Sequence, residues 1–547
     1  MSEEEKDYIN DIFNYETNWE NIFDNKRFVN ELSSDVLENY IVKQRWYGGK
    51  ASVLKYIEIV DVFKIEDDKD LFYGAILEVN FKEAFVQQYF LPIGLVKEKD
   101  YVDHKIISRI DLNGEKGYLV DAILLESFRA QIFNKIVEGD KFKYENVEYR
   151  RGRKCEDNAY KSSKFLGAEQ SNTSIIFNEK YILKFFRRVY TDQNPDYEIS
   201  KYLTNQGYFS NTPGYCGSIT LKFSDKNIMT LALMQELVDN QGDAWEYFVE
   251  KIENSYDKLS DLDVDFSAYK VLPKYKQIKL EEVDQALLKW FDVEIFEDVQ
   301  KLALRTAEMH ISLGMERINA SFTPTGYTYD YTVWLKNRLM YMLDNRINLL
   351  ENNLHKLDGN MVEMANYLLE NKKEVKKRFL DFDESKLKSE RIRVHGDYHL
   401  GQVLVQNRDF YIIDFEGEPE STIRDRKVKQ PPLKDIAGMF RSFNYALYAT
   451  IFNNQEKYSH KLEDLFHSAE VIYSNMVGLF LNTYIHKVQN NNLNIGYINE
   501  IEFLLEYCLL EKAIYELGYE LNARPRWSII PLKGIINILK QNTINYG

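Results

Sequence analysis

Apolar residues recur at helical spacing from residue 19 to residue 42, and the run stops at Arg45-Trp46-Tyr47-Gly48-Gly49-Lys50, where paired glycines break a helix. Four runs of strand character follow, over residues 56–65, 71–81, 84–91 and 117–125. Several alternate polar with apolar positions, as half-buried antiparallel strands do. A second strand-rich stretch begins near Lys164 and continues through residues 173–177, 181–187, 219–223 and 229–237, interrupted by one helix at 196–205. After Asn240 the pattern changes to long amphipathic segments, such as 299–313, 331–350 and 463–484, enclosing one short strand pair at 403–405 and 411–413. Strands followed by helices predict an α+β chain in three parts: a small α+β module at residues 1–125, a sheet-rich part at 126–240 and a mainly helical part at 241–547. A cleft between the last two is the expected place for a ligand. Residues 256–293 are polar enough to read as an insertion rather than core, with no nameable chemistry.

Composition narrows the class. The chain has 547 residues, with 70 Lys+Arg against 86 Asp+Glu and a formal net charge of −16. Nucleic-acid binders gather cations against phosphates, so no nucleic-acid partner is expected. Hydrophobic content of 44% with 29% charge is ordinary for a globular protein. The 39 Tyr and 32 Phe read mainly as core packing. Cys155, Cys216 and Cys508 are too scattered for a disulfide framework or a zinc site. The amino terminus is acidic, the wrong chemistry for a secretory leader, and no window of about eighteen consecutive apolar residues predicts a membrane span. A cytoplasmic location is expected.

The densest chemical signal is Val394-His395-Gly396-Asp397-Tyr398-His399-Leu400-Gly401-Gln402, followed by the strand pair and then by Asp414-Phe415-Glu416-Gly417-Glu418-Pro419. Asp397 and Asp414 sit on either side of a hairpin whose short loop brings them together. Phosphoryl transfer needs a base near an incoming hydroxyl, oxygen ligands for Mg²⁺ and a cation on the nucleotide phosphates. Asp397 suits the base. Gln402 and Asp414 suit the metal, with Glu416, on the same strand face as Asp414, joining the metal or a sugar. His395 reads as an organiser of the loop and His399 as a residue behind the site.

The cation is expected upstream. Tyr181-Ile-Leu-Lys184 places Lys184 on a strand, and Glu198 follows fourteen residues later in the helix opened by Pro195-Asp196. A strand lysine paired with a helix glutamate is the phosphate clamp of kinase-like folds. Gln170, Ser171, Asn172 and Thr173 occupy the place of a phosphate loop, where hydroxyls, amides and backbone N–H groups cover the phosphates in place of glycines. The strand end at Gln235 and Leu237 is positioned for its backbone to read an adenine edge.

Taken together, Arg45 to Lys50, Glu169-Gln170-Ser171-Asn172-Thr173, the Asp397 and Asp414 motifs and Pro432-Leu433-Lys434-Asp435-Ile436-Ala437-Gly438-Met439-Phe440-Arg441-Ser442-Phe443 resemble the bacterial maltokinases. The resemblance implies a bilobal fold like that of protein kinases and aminoglycoside phosphotransferases, preceded by an α+β cap domain. It implies ATP with Mg²⁺, maltose as acceptor at its 1-hydroxyl, maltose 1-phosphate as product and a role in α-glucan synthesis. It sets Glu416, Lys427, Asp435, Arg441 and Tyr445 in or near a sugar pocket, although Asp435 and Arg441 serve equally well as anchoring ion pairs. Trehalose synthase, frequently fused in relatives, is the implied functional neighbour, here expected as a separate chain. A kinase for glucosamine or an aminoglycoside is the alternative acceptor reading, and a nucleotide-binding pseudokinase the alternative outside catalysis.

Overall fold

The computed structural model describes residues 12–100, 106–139, 143–144, 146–167, 172–222, 227–262 and 269–540. They form two compact units. The first comprises residues 1–205 and 213–238, the second residues 206–212 and 239–547.

The first unit holds two sheets. One contains β1 (Ile12–Tyr15), β2 (Leu54–Glu66), β3 (Leu71–Phe81), β4 (Val86–Lys97), β5 (Ile106–Leu112) and β6 (Glu115–Asp121), in the order β1-β5-β6-β4-β3-β2. The helical run expected at 19–42 is broken. Asn25 turns its side chain onto the amides of Arg27 and Phe28 and starts a new helix there. The other sheet contains β7 (Lys143–Tyr144), β8 (Val147–Arg151), β9 (Ser163–Phe165), β10 (Asn172–Phe177), β11 (Tyr181–Phe186), β13 (Tyr215–Lys222) and β14 (Ile228–Glu236). Helix α1 (Glu126–Glu138) joins them, and its Phe128 meets Phe72 of β3 at 5.3 Å and Phe185 of β11 at 6.2 Å between ring centres. β12 (Arg188–Val189) leaves the second sheet to pair with β4 of the first. The cap therefore shares one hydrophobic core with the sheet that follows it. The boundary expected at residue 125 falls inside this packed unit rather than between two bodies.

A buried ion pair fastens that junction. Arg187 Nη2 donates to Asp121 Oδ2 at 2.5 Å, its Nε donates to Thr173 Oγ1 at 2.9 Å, and its guanidinium lies 5.2 Å from the Trp46 ring centre. Both charged side chains are nearly excluded from water, so the pair must be complete to be tolerated.

The second unit is helical around one hairpin. Helix α2 (Pro195–Tyr202) still belongs to the first unit. The second supplies α3 (Ala244–Ser260), α4 (Val293–Gly314), α5 (Tyr329–Asn353), α6 (Leu433–Asn453), α7 (Leu462–Gln489), α8 (Ile498–Ala523) and α9 (Ile529–Leu539). β15 (Val403–Gln406) and β16 (Asp409–Ile412) are joined through Asn407 and Arg408, with φ of 51° and 59°, the left-handed pair that a tight two-residue hairpin demands. The stretch expected as a polar insertion is anchored to the core at intervals. Tyr256, Tyr275, Ile278, Val283, Leu287 and Phe291 are all buried, and Ile278 N donates to the Gly478 carbonyl of α7. No helix among the described residues is long and apolar enough to cross a membrane.

Candidate active site

The hairpin of the second unit sets the geometry. Ile413 N donates to Gln402 O at 3.0 Å, so the residues just outside the two strands stay paired and Gln402 and Asp414 converge. Gln402 Nε2 donates to Asp414 Oδ2 at 3.1 Å. Asp414 has φ of 65°, a left-handed conformation that costs a non-glycine residue about 1–2 kcal/mol and is held by its surroundings. Asp414 and Glu416 each offer a carboxylate oxygen within 4.8 Å of the other. With the Gln402 carbonyl they make an all-oxygen donor set, the hard chemistry that suits Mg²⁺.

The loop carrying Asp397 is gripped from behind. Asp435, in the first turn of α6, accepts from His395 N at 2.8 Å through Oδ2 and from Gly396 N at 2.9 Å through Oδ1. His310 Nε2 of α4 lies 3.0 Å from Asp435 Oδ2, and His310 Nδ1 lies 2.8 Å from the Tyr484 hydroxyl of α7. Asp435 is 1% exposed and anchors the loop that carries Asp397, which fits the anchoring alternative. Its partners lie 40 and 125 residues away in the chain, beyond the reach of any local pattern. Burial alone would push the Asp435 carboxyl up, but His310 and the backbone donors overcome it and hold it below the usual carboxylate range. His395 Nε2 lies 2.8 Å from the Ile413 carbonyl, linking the loop to the end of β16. His399 Nδ1 accepts from Gly401 N at 3.1 Å, and burial lowers its pKa, so its ring is neutral at pH 7.

Two close approaches complete the grip. Ser442 Oγ of α6 accepts from Leu400 N at 3.1 Å. One turn earlier, Gly438 lies so close to the loop that a Cβ there would stand 2.5 Å from the Tyr398 carbonyl oxygen.

Asp397 itself has an unexpected neighbour. Lys512 Nζ of α8 donates to Asp397 Oδ1 at 2.9 Å, with both side chains largely buried. Burial pushes the Asp397 carboxyl up, and the Lys512 charge overcomes that and holds it below its ordinary value. Lys512 Nζ also lies 5.0 Å from the ring centre of Tyr515, its neighbour on the same helix face. Nearby, Glu511 pairs with Lys434 at 2.9 Å and with Arg338, which also approach Glu418 at 3.6 and 3.9 Å. A lysine 115 residues downstream in an apolar helix carries no local signal that could mark it.

Of the other residues marked for a sugar, Arg441 is 5% exposed and bound by Nε to Glu516 Oε2 at 2.8 Å, with its guanidinium 5.5 Å from the Tyr445 ring centre. It belongs to the anchoring alternative. Lys427 caps the short helix Ile423–Arg426 and is half-buried.

In the first unit, Lys184 Nζ donates to Asp196 Oδ2 at 3.1 Å, and Asp196 is fully buried. Asp196, two residues before the expected Glu198, is thus one acidic partner of Lys184. Residues two apart on a helix point about 200° apart, and Asn194 starts α2 so that Asp196 faces β11. Ser200 Oγ donates to Asp196 Oδ1 at 3.3 Å and accepts from Gln235 Nε2 at 3.1 Å, so the Gln235 side chain braces this network. Leu237 N donates to the Lys180 carbonyl at 2.7 Å, which removes it as a free donor for an adenine edge. Asn172 and Thr173 open β10, and Gln170 and Ser171 lie outside the described residues.

Residues 40–124 match the maltokinase N-terminal cap domain. A stretch of 65 residues, 12% of this chain, is 32% identical to a glucosamine kinase of Streptacidiphilus jiangxiensis and spans 15% of that relative's length. Among solved structures, a glucosamine kinase in complex with glucosamine, ADP and inorganic phosphate superposes with a TM-score of 0.62 and 16% identity, over 96% of this chain and 100% of that one. A second crystal form of glucosamine kinase gives the same TM-score and coverage. Residues 40–124 are therefore a cap of the maltokinase type, carried on the kinase-like fold that this chain shares with glucosamine kinase.

Proposed function

We propose that this protein is an ATP-dependent sugar kinase that transfers the γ-phosphate of ATP to the 1-hydroxyl of maltose. The observation that carries the reading is the convergence of Gln402 with Asp414, with a half-buried, ionised Asp397 on the preceding loop, in a chain with a maltokinase cap. Asp397 takes the proton of the sugar hydroxyl. The sugar oxygen then forms the new bond to the γ-phosphorus while the bond to the bridging β,γ-oxygen breaks, and ADP leaves. Lys184, steadied by Asp196, neutralises phosphate oxygens. Gln402, Asp414 and Glu416 are the residues to hold Mg²⁺, which when bound offsets the phosphate charge.

Lys512, paired with Asp397, would repel the ammonium group of glucosamine, which favours a neutral acceptor. Glucosamine stays as the second reading because of the extent of the structural match and the 32% identical stretch.

A sugar panel measured by ADP release and by loss of reducing ends tests both. Maltose is expected to turn over and to lose its reducing end. Turnover of glucosamine without maltose would replace the acceptor, and ATP binding without turnover on any sugar would end the enzymatic reading. Asp397→Asn should lower kcat about 10²–10⁴-fold with the fold intact; an unimpaired variant removes Asp397 from the chemistry.

A further inference from the structure

A cavity of about 420 Å³ lies inside the helical unit, walled by the loop at 271–275 and by α6, α7, α8 and α9. Its size is that of a small-molecule site. Asp397, Gln402, Asp414 and Glu416 are not among the residues that line it. Most of its wall is apolar, including Phe440, Val477, Leu509 and Ile530, which excludes a free sugar as the natural occupant. The loop at 271–275 is part of the stretch without nameable chemistry in the sequence, and here it is tied down, with Leu272 N donating to Ser474 Oγ at 3.0 Å.

Lys274, Arg441, Lys533 and Lys540 line the cavity, and Glu470, Glu502, Glu506 and Glu516 stand near them, so the groups with open hydrogen-bonding capacity decide the ligand. Arg441 is 95% buried, and only its Nε makes a hydrogen bond, to Glu516 Oε2 at 2.8 Å; Nη2 lies 2.7 Å from the same oxygen but is buried without a hydrogen-bond partner among the described residues. Nη1 makes no hydrogen bond among the described residues and lies against Gly534, where an added Cβ would stand 2.6 Å away. One turn along α6, the half-buried Asn444 amide also makes no side-chain hydrogen bond among the described residues. A buried guanidinium with an unused N–H edge beside an apolar chamber is a receptor for an acid group on an apolar body.

We infer that this cavity is a second ligand site, taking a small amphipathic anion, an aromatic or aliphatic acid whose acid group meets Arg441 and Asn444 and whose body fills the apolar chamber. The inference does not depend on the acceptor sugar. The walls that hold the ligand are α6, which also carries Asp435, Gly438 and Ser442, and α8, which also carries Lys512, so the site stands one helix away from Asp397.

The test uses the full-length protein and 8-anilino-1-naphthalenesulfonate as probe, titrated by fluorescence beside its neutral analogue N-phenyl-1-naphthylamine. One saturable site is expected, with affinity lowered at least tenfold for the analogue that lacks the sulfonate. Ala513→Phe, which fills the chamber, and Asn537→Trp, at an exposed position on the rim that places no demand on the core, should each weaken the sulfonate at least tenfold. Absence of saturable binding, unchanged affinity in Asn537→Trp and in folded Ala513→Phe, or equal affinity for the neutral analogue would overturn the proposal.

Discussion

Gly438→Ala tests how the loop carrying Asp397 is held. The new Cβ would stand 2.5 Å from the Tyr398 carbonyl oxygen, about 0.9 Å short of the 3.4 Å at which ordinary contact begins. The obstacle is backbone, so it cannot swing aside as a side chain would, and the loop one residue after Asp397 must shift. Alanine gains about 1 kcal/mol over glycine in a helix interior, which offsets part of an overpacking cost of about 1–3 kcal/mol. The expected loss of stability is therefore below about 2 kcal/mol. The effect on chemistry is larger, because a displacement near 1 Å from the reacting geometry costs about 100-fold in rate, roughly 2.7 kcal/mol of barrier. The variant should melt within a few degrees of the wild type while kcat for ADP release on maltose falls about 100-fold. A kcat within threefold of wild type, with normal melting, would refute the idea that α6 sets the position of Asp397.

Three further outcomes are expected. In Lys512→Met the cation that holds the Asp397 carboxyl down is gone and burial pushes its pKa up, so the acid limb of kcat/KM moves to higher pH; Lys512→Arg should restore the limb, and an unmoved profile in the Met variant assigns Lys512 no electrostatic role. The Asp435 carboxyl has a folded pKa below its unfolded value, so its stabilisation is full above about pH 4 and is lost as pH falls through the folded pKa. Asp435→Asn should accordingly be less stable than wild type at pH 7, by about 1–3 kcal/mol in urea unfolding, with the gap narrowing in acid; a gap independent of pH contradicts the assignment. Asp121→Asn leaves the Arg187 charge buried without its partner and should cost about 3–5 kcal/mol, much of it recovered in Asp121→Asn with Arg187→Met; additive losses in the double variant would mean the pair is not coupled.

Where local pattern and burial agree, the elements are legible. The strands at 71–81 and 181–187 and the helices at 299–313, 331–350 and 463–484 all appear, the helices extending up to six residues beyond their expected bounds. Helix α8 carries no comparable signal: it is buried nearly all round, with even Glu500, Glu506, Glu511 and Glu520 taken into the interior, so no amphipathic period remains to be read. The insertion reading at 256–293 fails for another reason: its polar residues outnumber the seven apolar ones that reach the core among the described residues.

The site divides along the same line. The order of residues alone determined that Asp397, Gln402 and Asp414 share a loop and a hairpin, because a short turn leaves their ends of the strands adjacent whatever surrounds them. It could not determine that Asp196 meets Lys184, which depends on where Asn194 starts a helix and which face that helix turns to β11. Nor could it determine that Asp435 and Gly438 hold the loop carrying Asp397 or that Lys512 charges Asp397, since those contacts join segments 40 to 125 residues apart. Only packing decides them, because helices meet by shape and buried charge, and neither property is written in any one stretch of the chain.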